Sequence, residues 1–218
     1  AQKGLVMENN MEVDRRIMET NYFGTVALTK AIMPIFMDQG HGWFSIVSSF
    51  GGVLGLPGRS AYAASKHALH GYFESLRAEN MKCRIDVSFI IPGFINTNIT
   101  VKGLNGNGKP CGKLETSHRL GMSSDQCALK MIEGFEKRKN RILVGKKEVI
   151  LLYIHRISPS LAKLMIRSHP MKKWRKFLSV VNHIIKFIPN KLIQNNSLES
   201  SQYRSTSVSE DLSDYQNV

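Results

Sequence analysis

A chain of 218 residues, 42% of them hydrophobic and 22% charged, can bury a core and is too apolar to be a disordered polymer. No run approaches eighteen apolar residues and no secretory leader is visible, so neither a membrane-crossing helix nor an export signal is expected. Three cysteines without metal-ligand spacing exclude a disulfide framework and fit a reducing compartment, while the net charge of +13 asks for an explanation that comes only at the C-terminal end.

The chain opens on Ala1 rather than Met, which reads as a piece of a longer protein. From Asn10 to Gln39 the spacing predicts one long helix, with Val13, Ile17, Asn21, Gly24, Leu28 and Ala31 along one face, a kink at Pro34 and a stop at Gly40. Asn21 is polar in the middle of that burying face, and the plain alternative is a core-edge Asn bonding a neighbouring backbone. Trp43 to Ser48 is a short apolar run ending in two serines, the pattern of a buried parallel strand. Ligands of open α/β sheets sit at the carboxyl ends of such strands.

The next helix runs from about Ser60 to Asn80 with Leu69, Tyr72, Phe73 and Leu76 inward. It places Tyr62 and Lys66 four apart, on one face. A phenol titrates near ~10, too high for efficient proton donation at neutral pH, and a neighbouring cation pulls that value down. Ser49, with Ser48 as the alternative, would lie beside the phenol if the intervening loop folds back. A turn serine is the simpler reading of either alone. His67 and His70 have no third ligand nearby, so no metal site is expected.

Ile85 to Ile91 reads as the next strand, ended by Pro92-Gly93. Residues 98–121, rich in glycine, read as a flexible loop. Ser123 or Ser124 caps a helix to about Lys139 with Ala128, Met131, Ile132 and Phe135 inward, and Arg141–Val144 is one more short strand.

Taken in order, Asn21-Tyr22-Phe23-Gly24, Ser48-Ser49, Tyr62 with Lys66, and Pro92-Gly93-Phe94-Ile95-Asn96-Thr97 resemble the short-chain dehydrogenase/reductase superfamily from about Leu5 to Val144. Arg59-Ser60-Ala61-Tyr62-Ala63-Ala64-Ser65-Lys66-His67-Ala68 is most similar to its member-seven branch. The resemblance implies a Rossmann-type α/β fold and an oxidoreductase using NAD or NADP on a small-molecule carbonyl or alcohol. It implies that Tyr62 passes the proton, Ser49 holds the substrate oxygen, Lys66 lowers the phenol pKa and binds the nicotinamide ribose, and Asn21 holds a water linking that lysine to solvent. Pro92 and Gly93 would lie against the nicotinamide, Ile95 would offer its backbone amide to the carboxamide and Thr97 its hydroxyl to the cofactor, with Phe94 beside the substrate under the 94–121 loop. Phe50, Val53, Leu54, Leu56 and Phe94 suggest a lipid-like or steroid-like molecule. A homo-oligomer and a membrane-associated intracellular location, the cytosolic face of the endoplasmic reticulum with the cytoplasm as the alternative, complete the expectation.

One part of that pattern is missing. Nothing before Asn21 offers a glycine-rich turn between a strand and a helix, where a pyrophosphate would sit. Gly103–Gly108 and Gly51–Gly55 are rejected as substitutes, so the partial Rossmann-type domain is assigned to 1–148 and expected to bind nucleotide poorly by itself. The charge is concentrated toward the C-terminal end: residues 137–192 hold half of the 30 basic residues against Glu148 alone. Residues 149–194 read as a basic helical extension. Within it Met171 to Ile188 is amphipathic, with Trp174 and Phe177 on its apolar side, which fits a membrane surface through 149–192. An ordinary packed helix is the plain alternative, and no groove-reading motif supports nucleic acid. A non-catalytic truncated product acting as a membrane- or protein-binding module is therefore the second functional reading. Residues 195–218, Ser-rich and mildly acidic, read as a disordered tail.

Overall fold

A computed structural model describes residues 1–167. In chain order the elements are β1 (Gln2–Lys3), α1 (Met11–Met18), α2 (Gly24–Gln39), β2 (Gly42–Val47), α3 (Ser60–Glu79), β3 (Ile85–Pro92), β4 (Leu104–Asn105), α4 (Thr116–Arg119), α5 (Ser124–Glu136), β5 (Arg141–Val144), α6 (Ile150–Ile157) and α7 (Pro159–Arg167). Strands β2, β3 and β5 form a parallel sheet in that order, and β1 pairs with β4 in a separate parallel ribbon. Alternation along β3 decides which helix covers which face. Phe89 points to α3, stacking on His70, while Ile90 joins Ile142, Val144 and Cys127 beneath α5. Helices on both faces of a parallel sheet make this a doubly wound α/β arrangement.

The expected 10–39 helix is continuous but not regular. Asn10 caps it by accepting the Glu12 amide, and residues Glu19–Phe23 then form a π-helical turn. One extra residue in that turn rotates the buried stripe. Val13 and Ile17 are buried ahead of it, but beyond it Leu28 is 62% exposed and Thr29 takes the inward position. The helix passes Pro34 without ending, and the irregularity expected there sits at Asn21 instead. In α5 the inward residues are Cys127, Met131, Gly134 and Phe135; Ala128 and Ile132 point out, one step round from the expected face.

Leu151, Leu152, Ala162 and Met165 are buried, so α6 and α7 belong to one compact unit that runs from Ala1 to Ser168. The amphipathic stretch 171–188 and the tail 195–218 lie outside the described residues. Among the described residues no helix is long and apolar enough to cross a membrane.

Candidate active site

At the carboxyl end of β2 the two serines part company. Ser48 extends the ladder, donating its amide to the Ile90 carbonyl at 2.8 Å, and its buried hydroxyl lies 2.8 Å from His70 Nε2. The His70 ring stacks on Phe89 with centroids 4.3 Å apart. Burial, reinforced by the Arg141 cation, pushes this imidazole down to about 4, so it is neutral at physiological pH. Ser49 turns the other way. It opens the 3-10 turn Phe50–Gly52, accepts the Gly51 amide at 3.1 Å and sets its hydroxyl beside that of Tyr62, where it draws the phenol pKa down. The serine beside the phenol is Ser49.

Tyr62 and Lys66 lie one turn apart on α3, both half-buried. Burial raises the Tyr62 pKa, and the Ser49 hydrogen bond and the Arg59 cation offset only part of that. The lysine is the residue expected to supply an opposing charge. Its Nζ donates 2.8 Å to the Val47 carbonyl at the end of β2, and burial lowers its own pKa to about 8. Arg59, at the start of the same helix, is a cation that pulls the phenol pKa down.

The π-turn in front of α2 brings Asn21 to α3. Its Nδ2 donates to Ser65 Oγ at 3.0 Å, and Ser65 Oγ donates in turn to the Tyr62 carbonyl at 2.8 Å. Thr20, Asn21, Thr25, Val47, Lys66 and Leu69 line a cavity of about 260 Å³ beside β2. That is room for several waters between polar groups, the requirement for a wet cavity. Gly52 holds strand end and helix together: a Cβ there would strike Ser48 Oγ and come within 3.0 Å of Lys66 Cβ.

The turn after β3 lies beside this group through the β2–β3 ladder. Pro92 pairs with Val144, the Gly93 amide donates to the Val144 carbonyl at 2.7 Å, and the Phe94 amide donates to Glu148 Oε1 at 3.1 Å. Ile95 bridges Met122 and is buried; Thr97 is exposed. Phe94 meets His118 edge-on, with centroids 5.4 Å apart.

Residues 98–121, expected as a flexible loop, are held at several points. Strand β4 pairs with β1, the Asn10 amide donates to the Gly106 carbonyl, and Glu115 binds Arg59 at 2.6 Å and Lys3 at 2.9 Å. Burial lifts the Glu115 carboxyl, but the Lys3, Arg59 and His118 cations outweigh it and hold the group below its ordinary value. Neither rejected glycine run opens a helix. Gly103–Gly108 encloses β4, and Gly51–Gly52 pack against Tyr62, Ser48 and Lys66. Arg59, Glu115 and Glu148 are not singled out by the sequence for these positions; the helix motif begins at Arg59, Glu148 is noted only for its charge, and His70 reads as a surface or packing residue rather than a metal ligand.

The family model described as short chain dehydrogenase matches residues 2–106. Over 175 residues the chain is 34% identical to dehydrogenase/reductase SDR family member 7B of Danio rerio, covering 80% of this chain and 57% of the relative. It therefore spans little more than half the length of that curated protein. A short chain dehydrogenase from Burkholderia cenocepacia J2315, solved with NADP, superposes with a TM-score of 0.59 at 22% identity, over 74% of this chain and 61% of the other. A short chain dehydrogenase/reductase from Burkholderia phymatum, solved with NAD, gives 0.60 at 20% identity, over 73% and 63%. Both share the fold.

Proposed function

The chain belongs to the short-chain dehydrogenase/reductase superfamily, on the branch of the member-seven proteins, and from that premise we propose that it carries the substrate side of an oxidoreductase acting on a carbonyl or alcohol with NAD or NADP. The observation that carries the reading is the Ser49–Tyr62 hydroxyl pair at the carboxyl end of the sheet, with Lys66 one helical turn on. Ser49 holds the substrate oxygen. Tyr62, drawn towards ionisation by the Ser49 hydroxyl and the Arg59 cation against the opposing effect of burial, gives its proton to that oxygen as a general acid. Lys66 and the wet cavity lined by Asn21 supply a route by which the phenol is reprotonated.

A bound nicotinamide would supply the hydride. The residues present fit its ring end: the Ile95 amide and carbonyl have no partner among the described residues, and Lys66 lies free of any acid there. For the pyrophosphate no described strand runs through a glycine-rich turn into a helix. The chain by itself is therefore proposed to bind dinucleotide weakly. Titrating NADH and NADPH into this chain and into one extended to the length of its relatives tests this, and equal affinities would defeat it. Tyr62→Phe in the extended chain should abolish turnover and spare cofactor binding; turnover that survives removes Tyr62 from the role. An apolar substrate remains the proposal, although Phe50 and Leu54 are taken up by the core, leaving half-buried Val53, Leu56 and Phe94 to line its path.

A second reading is favoured by the C-terminal end. Tyr153, Ile157, Leu161 and Leu164 are exposed on α6 and α7, immediately before the basic stretch 171–188. We propose that this end rests on an anionic membrane surface. Flotation with anionic and neutral vesicles tests it, and failure to bind either kind at low salt would remove the idea.

A further inference from the structure

Glu148 is a buried acid with no basic partner among the described residues. It lies in the short turn after β5, and its Oε1 accepts two backbone amides, those of Phe94 and Lys146, each at 3.1 Å. The carboxyl group fits between two glycines. A Cβ on Gly93 would collide with Oε1 and approach Glu148 Cγ to 2.7 Å, and a Cβ on Gly145 would lie 2.7 Å from Oε1. Glycine at both places is what lets the acid close over the strand ends.

The effect on the turn after β3 comes from its hydrogen bonds. The Gly93 amide goes to Val144, and the Phe94 amide to Glu148. The Phe94 carbonyl accepts from Met122 at 2.9 Å, and the Asn96 amide donates back to Met122 at 2.8 Å. In this parallel bridge only the central residue, Ile95, keeps its amide and carbonyl unpartnered among the described residues, directed away from Met122. Glu148 is the one side chain in the set; every other tether is backbone.

We propose that Glu148 is a positioning residue, whose carboxylate fixes the Pro92–Ile95 turn so that the Ile95 amide is presented to the carboxamide of the nicotinamide. This rests on the oxidoreductase reading above. Were Glu148 only a brace for its own turn, its loss would loosen the Phe94 and Lys146 amides and leave Ile95 as it was.

Reduced nicotinamide mononucleotide, which needs only the ring end of the site, is the probe, titrated into this chain and followed at the backbone amides by NMR. The unaltered chain should show a saturable shift at Ile95. Glu148→Ala should speed hydrogen exchange at Phe94 at least about tenfold, as expected on losing a hydrogen bond to a charged group. It should also weaken the Ile95 response about tenfold or more. Glu148→Gln, which keeps an acceptor oxygen, should stay much nearer the unaltered chain. Gly145→Ala, whose Cβ would lie 2.7 Å from Oε1 and displaces the carboxylate from the side away from Gly93, should reproduce the Ala result and serves if Glu148→Ala does not fold. No Ile95 shift in the unaltered chain defeats the nicotinamide reading of the turn and the proposal with it. An unchanged Ile95 response in the folded variants, with Phe94 exchange accelerated or not, defeats the proposal alone.

Discussion

Lys66 gives the sharpest test of the site's electrostatics. Among the described residues its amine has a single acceptor, the Val47 carbonyl, and burial lowers its pKa from the ordinary 10.5 to about 8. At about 1.36 kcal/mol per pH unit the full difference is about 3 kcal/mol. The 260 Å³ cavity that Lys66 lines admits water and screens part of it, leaving roughly 1–2 kcal/mol. The unfolded chain keeps this proton up to about pH 10.5 and the folded chain releases it near 8, so across that window the unfolded state binds more protons and stability rises with pH. Below pH 8 the folded chain carries the whole cost of the buried ammonium. Lys66→Met removes the titration. Urea unfolding of both proteins between pH 7 and 11 should therefore show the unaltered chain gaining roughly 1–2 kcal/mol on the variant as pH rises. A difference that stays flat means the ammonium is solvated, and the burial argument fails.

Acid should act through His70. Its folded value of about 4 lies below the ordinary 6.5, so the unfolded chain takes up a proton first and stability falls from pH 6.5 towards 4; in His70→Gln the urea midpoint should lose that extra fall, and an identical pH profile would refute it. Gly52→Ala forces a methyl against Ser48 Oγ and Lys66, at a cost of about 1–3 kcal/mol, read as a lowered Tm; an unchanged Tm would show that strand end and helix separate easily. Glu115→Gln removes the charge shared by Arg59 and Lys3, worth about 1 kcal/mol at this partial exposure, and should speed tryptic cleavage at Lys102 and Lys113. Cleavage at the rate of the unaltered chain would mean that the backbone pairing of β4 alone holds the segment.

Periodicity made the regular parts legible. Strand β5 falls on the expected residues, and β2 and β3 lie within one residue of theirs, because apolar runs bounded by Gly and Pro leave few other choices. Helix α3 buries Leu69, Phe73 and Leu76 as its spacing requires. The register of a helical stripe is more fragile. One inserted residue at Glu19–Phe23 leaves no compositional mark, yet it turns Leu28 out and Thr29 in. The motif spacing placed Ser49, Tyr62, Lys66 and Asn21 on neighbouring elements, but spacing along a chain does not say whom each side chain bonds.

The pairings that sequence reading did not foresee share a physical character. Ser48–His70, Arg59–Glu115 and Phe94–Glu148 each join groups 22 to 56 positions apart through one or two polar atoms. Such pairs contribute nothing to a hydropathy period, and any one end of them is an ordinary Ser, His, Arg or Glu. What makes them necessary is geometric. The sheet delivers Ser49 and the Pro92–Ile95 turn to its carboxyl edge on adjacent strands, but a strand end has no further ladder to hold it. His70 fixes the first of those ends from the helix side, and Glu148 fixes the second from the turn after β5. Each uses a buried polar atom whose loss would leave a partner unsatisfied, which costs more than the bond itself contributes. The strand ends proposed to carry the chemistry are thus held by side chains to which the proposal gives no chemical step, and that division explains why motifs alone picked out the hydroxyl pair and not its supports.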